Sequence, residues 1–349
     1  MRIIHLLQSP RFSGAENVVC QIIGMLSKEN NIYMLYCSRD GQIRESLQER
    51  SIPFIPIKDI TVDEVRRVIK EYSPDIIHAH DMRASYVAAR STNKIPIISH
   101  IHNNSFDSRG VSVKSIAYIF AGIKAKHIFW VSDSAYKGYA FHHLFKRKSE
   151  VLYNIIDIEA LYQKMLLDQK KYNFDIVYLG RLTVPKNPQR LLEIFRKLIE
   201  KKSDIRIAVI GTGELESEVH KKAEELHLGP NVAFLGFQSN PYKMLHDAKA
   251  MIMTSLWEGT PMCVLESMSL GVPVVSTPTD GVKVVIKNGK TGFLSDKDEE
   301  LVEFCLKLCT DKEKREEMSA AAVQSARELM EIEKYKQKMM RVYQNCVIK

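Results

Sequence analysis

Residues 175–182 read DIVYLGRL, a β-branched apolar run that ends on a glycine and an arginine. The stretch before it, 158–174 (IEALYQKMLLDQKKYNF), carries no strand–helix rhythm and reads as a connector. The run at 175 therefore restarts an alternation the chain has already used once. Before the connector, short apolar runs (RIIHLLQ, IYMLYCS, PFIPI, DIIHAHD, PIISHIH, HIFWVSD) alternate with amphipathic stretches such as ENVVCQIIGMLSK and DEVRRVIKEY. After it, IRIAVIG, VAFLGF, AMIMTS and PVVST alternate with PQRLLEIFRKLIEKK, LESEVHKKAEEL and MCVLESMSLG. Such alternation implies right-handed crossovers and a parallel sheet. Two rounds of it predict an α/β chain of two doubly wound, Rossmann-like domains facing each other across a cleft. The expected parts are 1–171 including the connector, 172–330, and a helix over 331–349 packing back toward the first domain. Ligands in open α/β sheets bind outside the carboxyl ends of strands, so the site is expected in that cleft.

The length of 349 residues suits two domains, and 45% hydrophobic with 26% charged residues is ordinary for a soluble globular enzyme. No apolar run approaches the ~18 residues needed to span a bilayer. The opening MRIIHLLQSPRF has too short an apolar core for a signal peptide and reads as a first strand. The six cysteines (Cys20, Cys37, Cys263, Cys305, Cys309, Cys346) lack metal-ligand or framework spacing, which fits reduced thiols in a cytoplasmic protein. The net charge of +8 is uneven: residues 1–171 hold 24 Lys and Arg against 17 Asp and Glu, residues 172–349 hold 26 against 25. A basic first half suits a membrane surface, a nucleic acid or a phosphorylated substrate. Nucleic acid is not expected, because there is no recognition motif and no aromatic–basic platform.

Residues 255–271, SLWEGTPMCVLESMSLG, place Glu258 in a Gly-Thr-Pro loop and Glu266 on an otherwise apolar helix. Burying Glu266 between Leu265 and Met268 is expensive without a partner or ligand. In YLGRLTVPKN, Gly180 and Arg181 follow a strand directly and Lys186 comes five residues later. An Arg fork and a Lys point charge suit a diphosphate; a solvated basic loop is the plainer alternative. IGTGELE brings Gly211 and Gly213 to a strand end, suited to phosphate or base approach, but Glu216 replaces the third glycine of a dinucleotide fingerprint. Gly14, in SPRFSGAENVV, lets the backbone approach a ligand at a helix start, or simply serves a βα loop. His80 and His102 end predicted strands, where catalytic groups collect, though a lone histidine is more often structural. The acids of SDKDE (295–299) read as a helix start and not as a metal site. No Gly-x-Ser-x-Gly, Walker or His-Glu-x-x-His pattern is present.

In their order these pieces resemble the retaining glycosyltransferases of the large family 4, which have a GT-B fold. The resemblance rests on SLWEGTPMCVLESMSLGVPVV, YLGRL…KN…LL, IAVIGTGELE, SGAEN, PDIIHAHD and VLYNIID, and covers nearly the whole chain. It implies that Glu266 accepts hydrogen bonds from the ribose of a nucleotide, while Glu258 lies beside the donor sugar with the amides of Gly259 and Thr260. It implies that Arg181 and Lys186 hold the diphosphate and neutralise the leaving group, the role a metal plays in other transferases, so that neither a metal nor another cofactor is expected. His102 matches the family's histidine near the donor sugar, and Gly14 its glycine loop. Transfer with retention is then expected without an enzyme nucleophile, the departing phosphate taking the acceptor proton. Two departures stand out: Ser13-Gly14 replaces the usual glycine pair, and TDGVKVVIKNG has Lys283 and Val284 where a glutamate is common.

The resemblance thus implies a hexosyl- or N-acetylhexosaminyl-transferase using a nucleotide-diphosphate sugar, UDP-linked by expectation. The acceptor is expected to be a glycan or lipid-linked hydroxyl in surface polysaccharide or glycoconjugate synthesis. A sugar-nucleotide 2-epimerase of the same architecture and an inactive partner subunit are the alternatives. SAYKGYAFHHLFKRKS (134–149) is expected to form a helix mixing Tyr136, Tyr139, Phe141 and Phe145 with basic residues. Such a surface suits an anionic membrane, giving a cytoplasmic enzyme peripheral at the inner face of the cell membrane.

Overall fold

The computed structural model describes residues 1–27, 29, 31–102 and 110–347. Two compact units form, Met1–Ile155 with Ile332–Lys349, and Ile156–Glu331. The first holds seven strands: β1 (Arg2–Leu6), β2 (Tyr33–Arg39), β3 (Phe54–Ile57), β4 (Ile76–His80), β5 (Ile97–Ile101), β6 (His127–Trp130) and β7 (Ser149–Val151). They pair in parallel in the order β3-β2-β1-β4-β5-β6-β7. The second unit holds β8 (Ile176–Leu179), β9 (Ile207–Ile210), β10 (Val232–Gly236), β11 (Ala250–Met253), β12 (Val274–Ser276) and β13 (Gly292–Leu294). Their order is β10-β9-β8-β11-β12-β13, again parallel.

In both sheets the strand order reverses at one place, between β1 and β4 and between β8 and β11. At such a switch point the connections leave in opposite directions and open a crevice at the carboxyl ends of the strands. The alternation in the sequence required crossovers of this kind, because parallel neighbours cannot be joined by a hairpin. Helices cover the sheets where their apolar stripes dictate. Helix Pro188–Lys201 buries Leu191, Leu192, Phe195 and Leu198, a helical period, and begins on a proline whose missing N–H costs nothing at that position. Helix Val62–Tyr72 is capped by Thr61, whose hydroxyl accepts from the Glu64 amide.

Two segments differ from the sequence reading. The connector carries a helix, Ile158–Leu166, started by an Asp157 cap and packed into the second unit through Leu161, Met165 and a Tyr162 hydroxyl bond to the Ser269 carbonyl. Its apolar residues recur at helical spacing but are too few to signal a helix against the polar residues around them. The unit boundary accordingly falls at Ile155–Ile156. The segment 134–149 is not one amphipathic helix. It splits into Asp133–Gly138 and a 3-10 turn His142–Lys148, with Tyr139 and Phe145 buried in the core. Helix Ile332–Val347 belongs to the first unit, the side toward which the sequence reading turned it; there the Tyr343 hydroxyl lies 2.8 Å from His78 Nδ1 and Arg341 pairs with Glu150 at 2.9 Å. Among the described residues no helix is long and apolar enough to cross a membrane.

Candidate active site

The second unit gathers its chemistry at the β8/β11 switch point. Gly180 and Arg181 leave β8; the Tyr178 hydroxyl donates to the Arg181 carbonyl at 2.8 Å, holding the turn. The loop continues to Lys186, where the Thr254 hydroxyl, just beyond β11, donates to the carbonyls of Lys186 and Asn187 at 3.2 and 3.1 Å. Because β8 and β11 are neighbours, Lys186 meets Glu258 across 72 residues of sequence, Nζ to Oε1 at 2.5 Å. Both side chains are largely buried, 16% and 11% exposed. Burial works against the Lys186 charge, but Glu258 outweighs it and leaves the ammonium pKa raised. Arg181 is exposed, its guanidinium makes no hydrogen bond or ion pair among the described residues, and its charge opposes that of Lys186. Two cations therefore face one paired carboxylate, an excess of one positive charge at a strand end.

Glu266 lies on helix Met262–Ser269, every residue of which is buried. Its Oε1 accepts from the Tyr242 hydroxyl at 3.3 Å, so the burial cost is partly met within the protein. Thr260, in the loop before this helix, is buried, and Gly259 is pressed from below. A Cβ on Gly281, at the start of helix Asp280–Val285, would lie 1.1 Å from the Gly259 carbonyl oxygen. The helix that carries the unusual Lys283 and Val284 thus sets the height of the Glu258–Thr260 loop, while those two side chains point out to solvent.

Gly211 and Gly213 are required by the packing of the neighbouring loop. A Cβ on Gly211 would meet the Gly180 carbonyl oxygen at 2.0 Å, and one on Gly213 the Leu182 carbonyl oxygen at 2.1 Å. The loops are knitted by backbone bonds: the Gly180 amide donates to Ile210, Leu182 to Thr212 and Leu215 to Leu182, each at 3.0 Å. These glycines let IGTGELE seat against GRL, and so hold Arg181 in place.

The first unit places histidines at its own switch point. His5 on β1 is in register with His78 on β4, and His80 on β4 with His100 on β5. Alternation puts all four on one face of the sheet, opposite the apolar core face of Ile4, Leu6, Ile77, Ala79 and Ile101. His102 follows β5. Hydrogen bonds join His5 Nδ1 to His80 Nε2 at 3.0 Å and His80 Nδ1 to His102 Nε2 at 2.8 Å. Burial drives the pKa of His5 and His102 down to about 3, with the His102 charge adding to the effect on His5. Burial, then the neighbouring imidazoles, holds His78, His80 and His100 well below the usual range. The rings are therefore neutral at pH 7, and each His–His bond needs one donor and one acceptor. The proton position runs all-or-none along His5–His80–His102, so it decides whether His102 Nδ1, which has no partner among the described residues, donates or accepts. The ring nitrogens of His5, His78 and His80, and those of His80, His100 and His102, lie within 4.8 Å of one another and could also converge on a metal. Asp81 completes the column: its carboxylate accepts from the His102 amide at 2.9 Å, and its φ of 66° is a left-handed conformation that a non-glycine residue adopts at a cost of about 1–3 kcal/mol.

Gly14 opens helix Gly14–Leu26 in this unit, and nothing lies within 4 Å of the position a Cβ would take. The Ser13 hydroxyl donates to Glu16. Of the residues singled out from sequence, Gly180, Arg181, Lys186, Gly211, Gly213, Glu258, Gly259, Thr260 and Glu266 belong to the second unit, and Gly14 and His102 to the first. Sequence reading missed His5, His78, His100, Tyr242 and Gly281. For the histidines a signal existed: His-x-His occurs twice, and a two-residue period on a strand puts both rings on one face.

Residues 12–160 match the family described as Glycosyltransferase Family 4, and residues 161–325 the family described as Glycosyl transferases group 1. The chain belongs to glycosyltransferase family 4. Among curated relatives, an uncharacterized glycosyltransferase of Methanocaldococcus jannaschii is 30% identical over 61% of this chain and 58% of its own length. The UDP-Gal:alpha-D-GlcNAc-diphosphoundecaprenol alpha-1,3-galactosyltransferase of Escherichia coli is 24% identical over 84% of each chain. The fold of this glycosyltransferase is that of HepE from Anabaena, solved in complex with UDP and glucose, at a TM-score of 0.85, 20% identity and coverage of 99% of this chain and 100% of that one. A mutant of TarM from S. aureus, solved in complex with UDP among other ligands, aligns at a TM-score of 0.78 and 14% identity over 98% of this chain and 99% of that one. Two parallel-sheet domains of the GT-B type are thereby established for the family 4 chain.

Proposed function

We propose that this glycosyltransferase moves a hexose or N-acetylhexosamine from a UDP-sugar to a hydroxyl of a growing polysaccharide or glycoconjugate, with retention at the anomeric carbon. The observation that carries the reading is the buried Lys186–Glu258 pair with Arg181 alongside. A diphosphate arriving at Arg181 and Lys186 would take over the charge now balanced by Glu258, releasing that carboxylate toward the sugar. Charge developing on the leaving phosphate would then meet preorganised cations without a metal. Glu266, held by Tyr242, is read as the ribose acceptor, and the amides of Gly259 and Thr260 as sugar contacts. His102, oriented through His80, and Gly14 are assigned to the sugar and acceptor side. The E. coli relative's use of UDP-Gal and of a diphosphoundecaprenol-linked acceptor supports the donor class and an acceptor presented at a membrane. Peripheral contact with an anionic membrane face is part of the same reading.

Thermal unfolding in the presence of UDP, GDP, ADP and their sugars tests the donor. A ligand at 100 times its Kd adds about 2.7 kcal/mol of stability. Stabilisation by uridine nucleotides alone is expected; no shift with any nucleotide for folded protein overturns the proposal.

A further inference from the structure

Helix Val113–Lys124 is apolar on both sides. Its inner face buries Ser115, Tyr118, Ala121 and Gly122. Its outer face presents Val113, Ile116, Phe120 and Ile123, exposed by 86%, 52%, 40% and 65%. These positions are spaced three, four and three residues apart, which makes one continuous stripe about 15 Å long. A solvent-facing helix ordinarily carries polar residues there, so the stripe lacks its cover.

The turn His142–Lys148 extends the patch. Phe145 packs so closely on Gly122 that a Cβ there would lie 2.5 Å from its ring, and Lys148 Nζ donates to the Ile123 and Ala125 carbonyls at 2.7 and 2.9 Å. Exposed Leu144, Lys146 and Arg147 are thereby set beside the Ile123 end of the stripe, with exposed Lys126 just past it. Lys126, Lys146 and Arg147 make no ion pair among the described residues. Residues 110–149 hold seven Lys and Arg and one acid, Asp133. That net +6 is nearly all of the +7 carried by residues 1–171, and within the same unit residues 332–349 add five Lys and Arg against Glu333.

We propose that this face docks on an anionic lipid bilayer, the stripe entering the headgroup boundary and the basic rim binding lipid phosphates. An apolar ridge fringed by charge of one sign has the composition of an interfacial helix. A second copy of the chain is a poor occupant, because a self-complementary contact would set +6 against +6. The inference deepens the membrane part of the proposed function and rests on it. It relocates the contact from Tyr136, Tyr139, Phe141 and Phe145, which pack in the core, to residues that face solvent.

Vesicle flotation with phosphatidylcholine alone and with added phosphatidylglycerol tests it, using the full chain, Ile116→Glu/Ile123→Glu and Lys146→Glu/Arg147→Glu. The unaltered protein should float with the anionic vesicles, and salt should release it. Losing two basic residues should weaken partition on the order of thirtyfold, and the apolar double variant at least about tenfold. Unaltered melting temperature and UDP stabilisation in both variants would show that folding and donor binding are intact, so the docking surface and the donor site fail or stand separately. Equal flotation with neutral lipid, undiminished binding by the folded Ile116→Glu/Ile123→Glu variant, or a dimer that this variant dissolves would each overturn the proposal.

Discussion

The two switch points of the molecule solve opposite electrostatic problems. At β8/β11 a lysine and a glutamate keep their charges out of water by holding each other. At β1/β4 five imidazoles are kept out of water by giving up charge altogether. The first arrangement exchanges partners when an anion arrives; the second carries hydrogen-bond direction without carrying charge. One fold thus supplies a cationic cradle and a neutral relay from the same place in two similar sheets.

The largest expected effect comes from Lys186→Ala. It strands Glu258, and removing one partner of a buried pair costs about 3–5 kcal/mol, the lower end applying to side chains with some exposure. Transfer should fall on the order of a hundred- to a thousandfold. Denaturant unfolding and turnover of Lys186→Ala beside Lys186→Ala/Glu258→Gln would separate the two losses: stability should return in part in the double variant, activity should not.

Acid should strike the first unit. A histidine whose folded pKa is near 3 stays neutral while its unfolded counterpart protonates below about 6.5. The unfolded chain then binds more protons, so stability is full above that range and falls as pH drops through it. The loss is about 1.4 kcal/mol per pH unit for each of His5 and His102. Lys186, with a raised pKa, keeps its charge throughout this window and would lose it only in strong alkali. Hydrogen exchange at pH 7 and pH 5.5 should show the strands β1, β4 and β5 opening first; equal loss in β8 and β11 would erase the contrast.

His80→Leu should cost about 1–3 kcal/mol, because His5 and His102 each lose a buried partner. If the column sets the proton on His102, the pH profile of transfer should change shape as well, and His80→Gln should restore part of it. Unaltered kinetics in a folded variant would leave the column a purely structural device.

The smallest effect is a null with a contrast. Gly14→Ala meets nothing and should leave stability within about 0.5 kcal/mol, while Gly281→Ala must displace the Gly259 carbonyl and should cost about 2 kcal/mol. Melting temperatures separate these two, and slower transfer by the fully stable Gly14→Ala protein would place a ligand at that loop.

Much of the fold was legible because a doubly wound sheet advertises itself by alternation, as at DIVYLGRL. The chemistry of YLGRLTVPKN and SLWEGTPMCVLES was legible as residue types, not as a pairing. Lys186 and Glu258 meet only because β8 lies beside β11, and strand order is not written in local spacing. The same limit applies to Gly211 and Gly213, whose pattern suits a ligand but whose Cβ positions are filled by the neighbouring loop. Residues 134–149 misled for a related reason: aromatic and basic residues are mixed in both a membrane face and a core segment with a charged exit, and burial alone tells them apart.

Helix Ile332–Val347 carries a consequence for synthesis on the ribosome. The partner of His78 is Tyr343, and two of the partners of Glu150 are Lys338 and Arg341. Residues 156–331 therefore interrupt a unit that cannot be completed until they have all been translated. At about 5–20 residues per second that delay is on the order of ten seconds or more. The nascent chain should finish its second half first, while the β1–β7 sheet waits, one face unsealed, for a helix made more than a hundred residues later.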